Sequence, residues 1–94
     1  MIKIIARRKV KPECVEAYLE LAAEMGEKSR AEDGCLGYTL NQSMEDEYLY
    51  TVIEFWKDQA AIDAHNASEH FQRIVPQYTA LTAEKFAVEH YQEV

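Results

Sequence analysis

Two histidines, His65 and His70, the only tryptophan, Trp56, and an acid two residues before it, Glu54, crowd into one stretch of the chain, Ile53 to Phe71. Imidazole accepts and releases protons near neutral pH, so either histidine is a candidate general base. A carboxylate can take the same role once burial raises its pKa. Indole and phenol rings supply flat walls with a donor at the polar tip. These residue types suit acid–base work on a flat aromatic molecule. Other chemistries lack their signatures. With three glycines in the chain, there is no phosphate loop and no dinucleotide fingerprint. No serine stands in a nucleophile-elbow context. His65 and His70 straddle a break between predicted helices, unlike an HExxH metal pair. An iron site of two histidines and Glu54 has the right donor types, but nothing in the spacing demands it. The expectation is therefore no metal, flavin or nicotinamide cofactor.

Each candidate also has an ordinary structural reading. His65, near the end of a short helix that returns toward the sheet, ranks first for proton transfer; it could equally close helix-end carbonyls. His70, in the first turn of the next helix, is the second candidate and could instead serve capping or an interface. Glu54 shares a strand face with Tyr50, Val52 and Trp56, and an acid in such company needs a partner. It is either a base or a structural hydrogen-bonding group. Trp56 and Tyr50 are walls of a pocket or members of the core. His90, near the C-terminus, is expected at the surface or a dimer seam.

The elements that must position these groups follow from periodicity. Ile2 to Val10 alternates as a strand, with Ile2, Ile4 and Ala6 on one face. Pro12 suits the first turn of a helix. Glu13 to about Arg30 repeats apolar residues at spacings of three and four, through Cys14, Tyr18, Leu21, Ala22 and Met25. Gly34 is a natural stop able to take the left-handed conformation. Leu36 to Ser43 is a second strand, and an acidic connection leads to a third, Tyr48 to Trp56, the most β-like segment. Asp58 caps a short helix to about Asn66, and Ser68 caps another from Glu69 to about Thr82, with an irregularity expected at Pro76. Glu84 to Tyr91 is the last strand, with Phe86, Val88 and His90 on one face. Both faces of the third strand are apolar. One must meet the helices, and the other needs a cover that so short a chain cannot supply, which implies a second copy.

Ninety-four residues predict one domain, residues 1–94. The composition, 48% hydrophobic and 29% charged, is that of a globular protein. A formal charge of -7 argues against nucleic acid, whose phosphates call for basic stripes. The one basic cluster, Arg7-Arg8-Lys9-Lys11, reads as a solvated strand end, with an anionic small-molecule site as the minority reading. No apolar run reaches the ~18–20 residues of a membrane span. Met1 to Arg7 lacks a signal-peptide core, so a cytoplasmic protein is expected. Cys14 and Cys35 flank the first helix, roughly 25 Å apart at ~1.5 Å per residue, far beyond the ~7 Å that a disulfide allows.

The order β-α-β-β-α-β is the ferredoxin-like split βαβ arrangement, an α+β fold with a four-stranded antiparallel sheet and helices on one face. Within it, Val10-x-Pro12, Ser29-Arg30-x-Glu32-x-Gly34-Cys35, Tyr38, Glu54-x-Trp56, Asp63-Ala64-His65 and Ser68-x-His70-Phe71 follow one another across nearly the whole chain. This series resembles the antibiotic biosynthesis monooxygenase family of small quinol-monooxygenase-like proteins. The resemblance implies a homodimer whose two sheets form an α+β barrel. It also implies cofactor-free oxygenation, by dioxygen, of a quinol or phenol-like aromatic molecule. His65, His70 and Glu54 would carry the catalysis, and Trp56, Tyr50, Tyr38 and Phe71 would bind substrate. Two other readings stay open: an isomerase of a phosphorylated small signalling sugar, and a non-catalytic small-ligand-binding dimer. Haem degradation, known among relatives of the same superfamily, is disfavoured, because the first strand offers Ala6-Arg7-Arg8 and no asparagine.

Overall fold

A computed structural model describes residues 1–94. Strand β1 (Ile2–Val10) leads through a single 3-10 turn (Pro12–Cys14) into helix α1 (Val15–Arg30). Strands β2 (Cys35–Gln42) and β3 (Leu49–Trp56) form a hairpin, and helices α2 (Gln59–Asn66) and α3 (Glu69–Leu81) follow. Short strands β4 (Thr82–Lys85) and β5 (Glu89–Gln92) close the chain. The α+β architecture is the expected one, with antiparallel order β2-β3-β1-β4 and β5 also on β1. No helix is long and apolar enough to cross a membrane.

Local chemistry sets most boundaries. Asp58 Oδ1 accepts from the Ala61 amide at 2.9 Å and Ser68 Oγ from the Phe71 amide at 3.3 Å, each satisfying an orphan donor of a helix start. Helix α3 runs on through Pro76 to Leu81. Its buried Ile74 and Tyr78 offset the proline's lost hydrogen bond. Both cysteines are free.

Two expectations are corrected. Gly34 does not adopt a left-handed conformation; no glycine in the chain has positive φ. Its lack of a side chain serves packing, because a Cβ there would collide with the Cβ of Ala61 on α2. The last strand is not one continuous Glu84–Tyr91 segment either. Lys85 pairs with Arg8 and Glu89 with Ile5, so four steps along this edge match three along β1. The extra residue makes a bulge, which splits β4 from β5. Phe86 therefore turns to the face of Arg7, whose guanidinium stacks on its ring at 4.7 Å. Val88 and His90 return to the opposite face, toward the helices.

One sheet face carries the core. Ile4, Val10, Tyr50 and Trp56 are buried against Tyr18, Ala22 and Met25 of α1, Ile62 of α2, and Ile74 and Tyr78 of α3. On the other face Leu49, Thr51, Ile53 and Phe55 stand opposite Lys9, Arg7, Ile5 and Lys3. They are half-buried, and no helix of this chain covers them.

The close approach at Gly34 is testable. Gly34→Ala is expected to destabilise the fold by about 1–3 kcal/mol through overpacking. In denaturant melts, adding Ala61→Gly to Gly34→Ala should recover part of that loss. Simple additivity of the two changes would mean that this contact does not set the loop.

Candidate active site

A cavity of about 310 Å³ lies between the sheet and the helices, at the small end of the range for ligand pockets. Its floor is Ile4, Ala6, Val52 and Glu54, and its far wall is Tyr18, Met25, Ile62, His65, Phe71, Val75 and Tyr78. Tyr38 from β2 and Asn66 from the end of α2 also face it.

His65 is 3% exposed and carries the arrangement. Its Nδ1 lies 2.7 Å from Glu32 Oε2. A carboxylate only accepts, so Nδ1 carries a proton; in the neutral ring Nε2 then keeps the lone pair. That Nε2 points toward Glu54 Oε1, 3.9 Å away, beyond direct hydrogen-bond range. The same Glu32 oxygen accepts from His70 Nε2 at 3.0 Å. Ser68 Oγ, 3.2 Å from that nitrogen, donates to the His65 carbonyl at 2.7 Å. Trp56 packs against the His65 ring with centroids 4.4 Å apart, and Phe71 meets it edge-on at 5.2 Å. The imidazole is thus fixed in position, orientation and tautomer.

Glu54 is 8% exposed. Burial pushes its carboxyl above the ordinary 4.5; the Trp56 hydrogen bond and the nearby imidazoles pull the other way without cancelling it. Trp56 Nε1 donates to Glu54 Oε1 at 2.8 Å. Burial, with Glu54 nearby, also raises the Tyr38 phenol, so Tyr38 remains a hydrogen-bond donor.

Of the residues singled out in the sequence, His65, Glu54, Tyr38 and Phe71 line the cavity. His70 stands behind His65 and reaches the site through Glu32. Trp56, fully buried, backs both His65 and Glu54. Tyr50 shares the sheet face but packs on Tyr18 at 5.4 Å in the core. Sequence reasoning gave no role to Glu32, whose partners lie 33 and 38 residues away; its only trace was its place in the Ser29–Cys35 turn. The basic cluster read chiefly as a solvated strand end, with an anionic site as the minority reading, and Arg8 is on the cavity wall, with Lys85 and His90 from the last strands. Arg7 pairs with Glu89 and Lys9 with Asp46 instead. Glu32, His65 and His70 offer ligand atoms within 4.8 Å of one another, a donor set suited to a divalent cation. Their 2.7 and 3.0 Å separations are hydrogen-bond lengths, so the three groups satisfy one another directly.

The profile of the antibiotic biosynthesis monooxygenase family matches residues 1–77, and the chain belongs to that family. Among its relatives is YcnE of Bacillus subtilis (strain 168), provisionally named as a monooxygenase. It is 41% identical over 75 residues, covering 80% of this chain and 79% of YcnE. A crystal structure of an antibiotic biosynthesis monooxygenase superposes with a TM-score of 0.94 at 39% identity, covering 100% of this chain and 99% of that one. A conserved protein from Methanosarcina mazei Go1 superposes with a TM-score of 0.95 at 30% identity, over 99% of this chain and 92% of that one.

The raised Glu54 pKa has a consequence for stability. The native state binds this proton more tightly than the unfolded state. The resulting contribution is full below the ordinary 4.5 and is lost as pH rises through the raised value. Glu54→Gln removes it, so the variant should gain stability relative to the parent as pH climbs from below 4.5 toward neutrality. Denaturant midpoints over that range will show it, and parallel pH profiles for the two proteins would contradict it.

Proposed function

We propose that the protein is a cofactor-independent monooxygenase that oxidises a quinol or phenol-like aromatic molecule with dioxygen. The observation that carries this reading is the His65 imidazole. Glu32 holds its Nδ1, and the ring faces a cavity whose walls are mostly apolar. The substrate hydroxyl gives its proton to Nε2, and Glu32 stabilises the imidazolium that forms. The electron-rich anion then reduces dioxygen. For a quinol the balance closes without another reductant: one oxygen atom enters the ring, the other leaves as water, and the product is a hydroxylated quinone. The quinol supplies all four electrons. Tyr38 donates a hydrogen bond to the developing oxyanion, and Glu54 lines the floor of the same cavity. The apolar walls from Ile62, Phe71 and Val75 limit water. Trp56 acts behind the wall by holding Glu54 and His65, and His70 acts through Glu32.

Oxygen uptake with a panel of reduced quinones and polycyclic phenols, against a protein-free blank, tests this. His65→Ala should lower turnover by on the order of 10²–10⁴, and Glu32→Gln by less, because the base remains while its orientation is lost. Uptake no faster than the blank across the panel would sink the oxygenase reading in favour of a ligand-binding module.

The active form is proposed to be a homodimer of one-domain chains, each using the uncovered sheet face of Leu49, Thr51, Ile53 and Phe55. Its mixture of apolar and basic side chains suits a self-complementary barrel seam. In sedimentation, the protein should run at about twice 10.9 kDa, and Ile53→Asp should shift it to a single chain. A monomeric parent protein would overturn this.

A further inference from the structure

Arg8 and Lys85 are Cα partners across the β1–β4 ladder, and both side chains line the cavity. Like charges directly opposite each other destabilise an antiparallel pair. No acid of the chain pairs with either cation. The ion pairs use Arg7, Lys9, Lys28, Arg73 and the two site histidines, never Arg8 or Lys85. Acids are not scarce, with 17 against 10 basic residues. Nor do the neighbouring phenols neutralise Arg8: burial holds Tyr18 and Tyr78 above their ordinary 10.0, so both stay uncharged.

Arg8 is instead held rigid. Its Nη1 donates to Thr82 Oγ1 at 3.0 Å, and its guanidinium stacks 4.5 Å from the Tyr78 ring centroid. These contacts orient the planar fork and leave it without an acid partner. A second cavity, of about 450 Å³, shares Arg8, Val75 and Lys85 with the first, so the two cations line both. Lys3, Lys11, Arg30 and Lys57 also lack an acid partner, but none lines either cavity.

We propose that Arg8 and Lys85 form an anion subsite, and that the cavity takes an aromatic molecule bearing a carboxylate, phosphate or sulfate at the end away from Glu54 and His65. A guanidinium fork beside an ammonium matches such oxygen groups. The inference rests on the acid–base reading of the same cavity for the ligand's orientation. Arg8 stands four residues along β1 from Ile4, the Cα partner of Glu54, roughly 13 Å at the strand rise. A ligand engaging both ends is therefore elongated, larger than a single ring.

Binding to the full-length chain, read by titration calorimetry without turnover, tests this. The probes are 6-hydroxy-2-naphthoate, 2-naphthol and ribose 5-phosphate. The naphthoate should bind at least about tenfold more tightly than 2-naphthol, equivalent to about 1.4 kcal/mol. Arg8→Met and Lys85→Met should each erase that preference while leaving 2-naphthol affinity unchanged. Lys85 is exposed, so its variant decides the matter even where Arg8→Met fails to fold. Equal affinities for the two naphthalenes, binding of neither, or a preference that survives Lys85→Met would overturn the subsite. Tighter binding of ribose 5-phosphate than of the naphthoate would overturn the aromatic part. Because no oxygen is consumed, a protein inert as an oxygenase can still show the preference, and an active one can lack it.

Discussion

One carboxylate oxygen, Oε2 of Glu32, organises the site. It accepts from His65 at 2.7 Å and from His70 at 3.0 Å, and so joins the loop after α1 to the end of α2 and the start of α3. A half-buried carboxylate is costly unless hydrogen-bonded, and two donors satisfy it well. In return it removes the rotational freedom of the His65 ring. Gly34, two residues on, lets the same loop lie against Ala61 of α2. The His65 imidazole is thus positioned chiefly by a loop that holds none of the residues lining the cavity.

A second carboxylate approaches the same imidazole from the other side and sits in a different environment. Glu32 lies nearer the surface, with side-chain exposure of 17%, and engages Nδ1 directly. Glu54 lies beneath the cavity, its side chain 10% exposed, with Trp56 donating to it and His65 Nε2 at 3.9 Å. Burial outweighs those attractions and raises its pKa. The two carboxylates flanking the imidazole therefore differ in burial and in partners: Glu32 holds Nδ1 directly, while Glu54 is held by Trp56.

The sheet divides the molecule's tasks between its faces. One face carries the core and the cavity floor. The other presents Ile5, Ile53 and Phe55 among Lys3, Arg7 and Lys9, uncovered by this chain. The bulge between Lys85 and Glu89 links the two. Without the extra residue, the alternation of β5 would invert relative to β4, and His90 would leave the cavity side on which Lys85 already stands.

Much of this was legible from residues close together in the chain. The alternation of β1 and β3, the caps at Asp58 and Ser68, the split βαβ order and the two-faced apolar character of β3 are local patterns read over a few residues. Strand parity likewise put Tyr50, Glu54 and Trp56 on one face. It could not say how deep on that face each would lie, because depth depends on which helix crosses above. Tyr18 of α1 covers Tyr50 and seals it into the core, while the space over Glu54 stays open. The bulge was invisible, since Phe86, Val88 and His90 alternate faultlessly in sequence and only pairing with β1 reveals the additional step. Glu32 was hidden for the same reason, and Arg8 was read first as solvated: a charged residue in a loop or at a strand end looks exposed until distant segments fold over it. Sequence alone determined which elements form, because their hydrogen bonds and periodicities are local. Tertiary structure decided which charges meet, because those contacts join residues tens of positions apart and are fixed only when the helices close over the sheet.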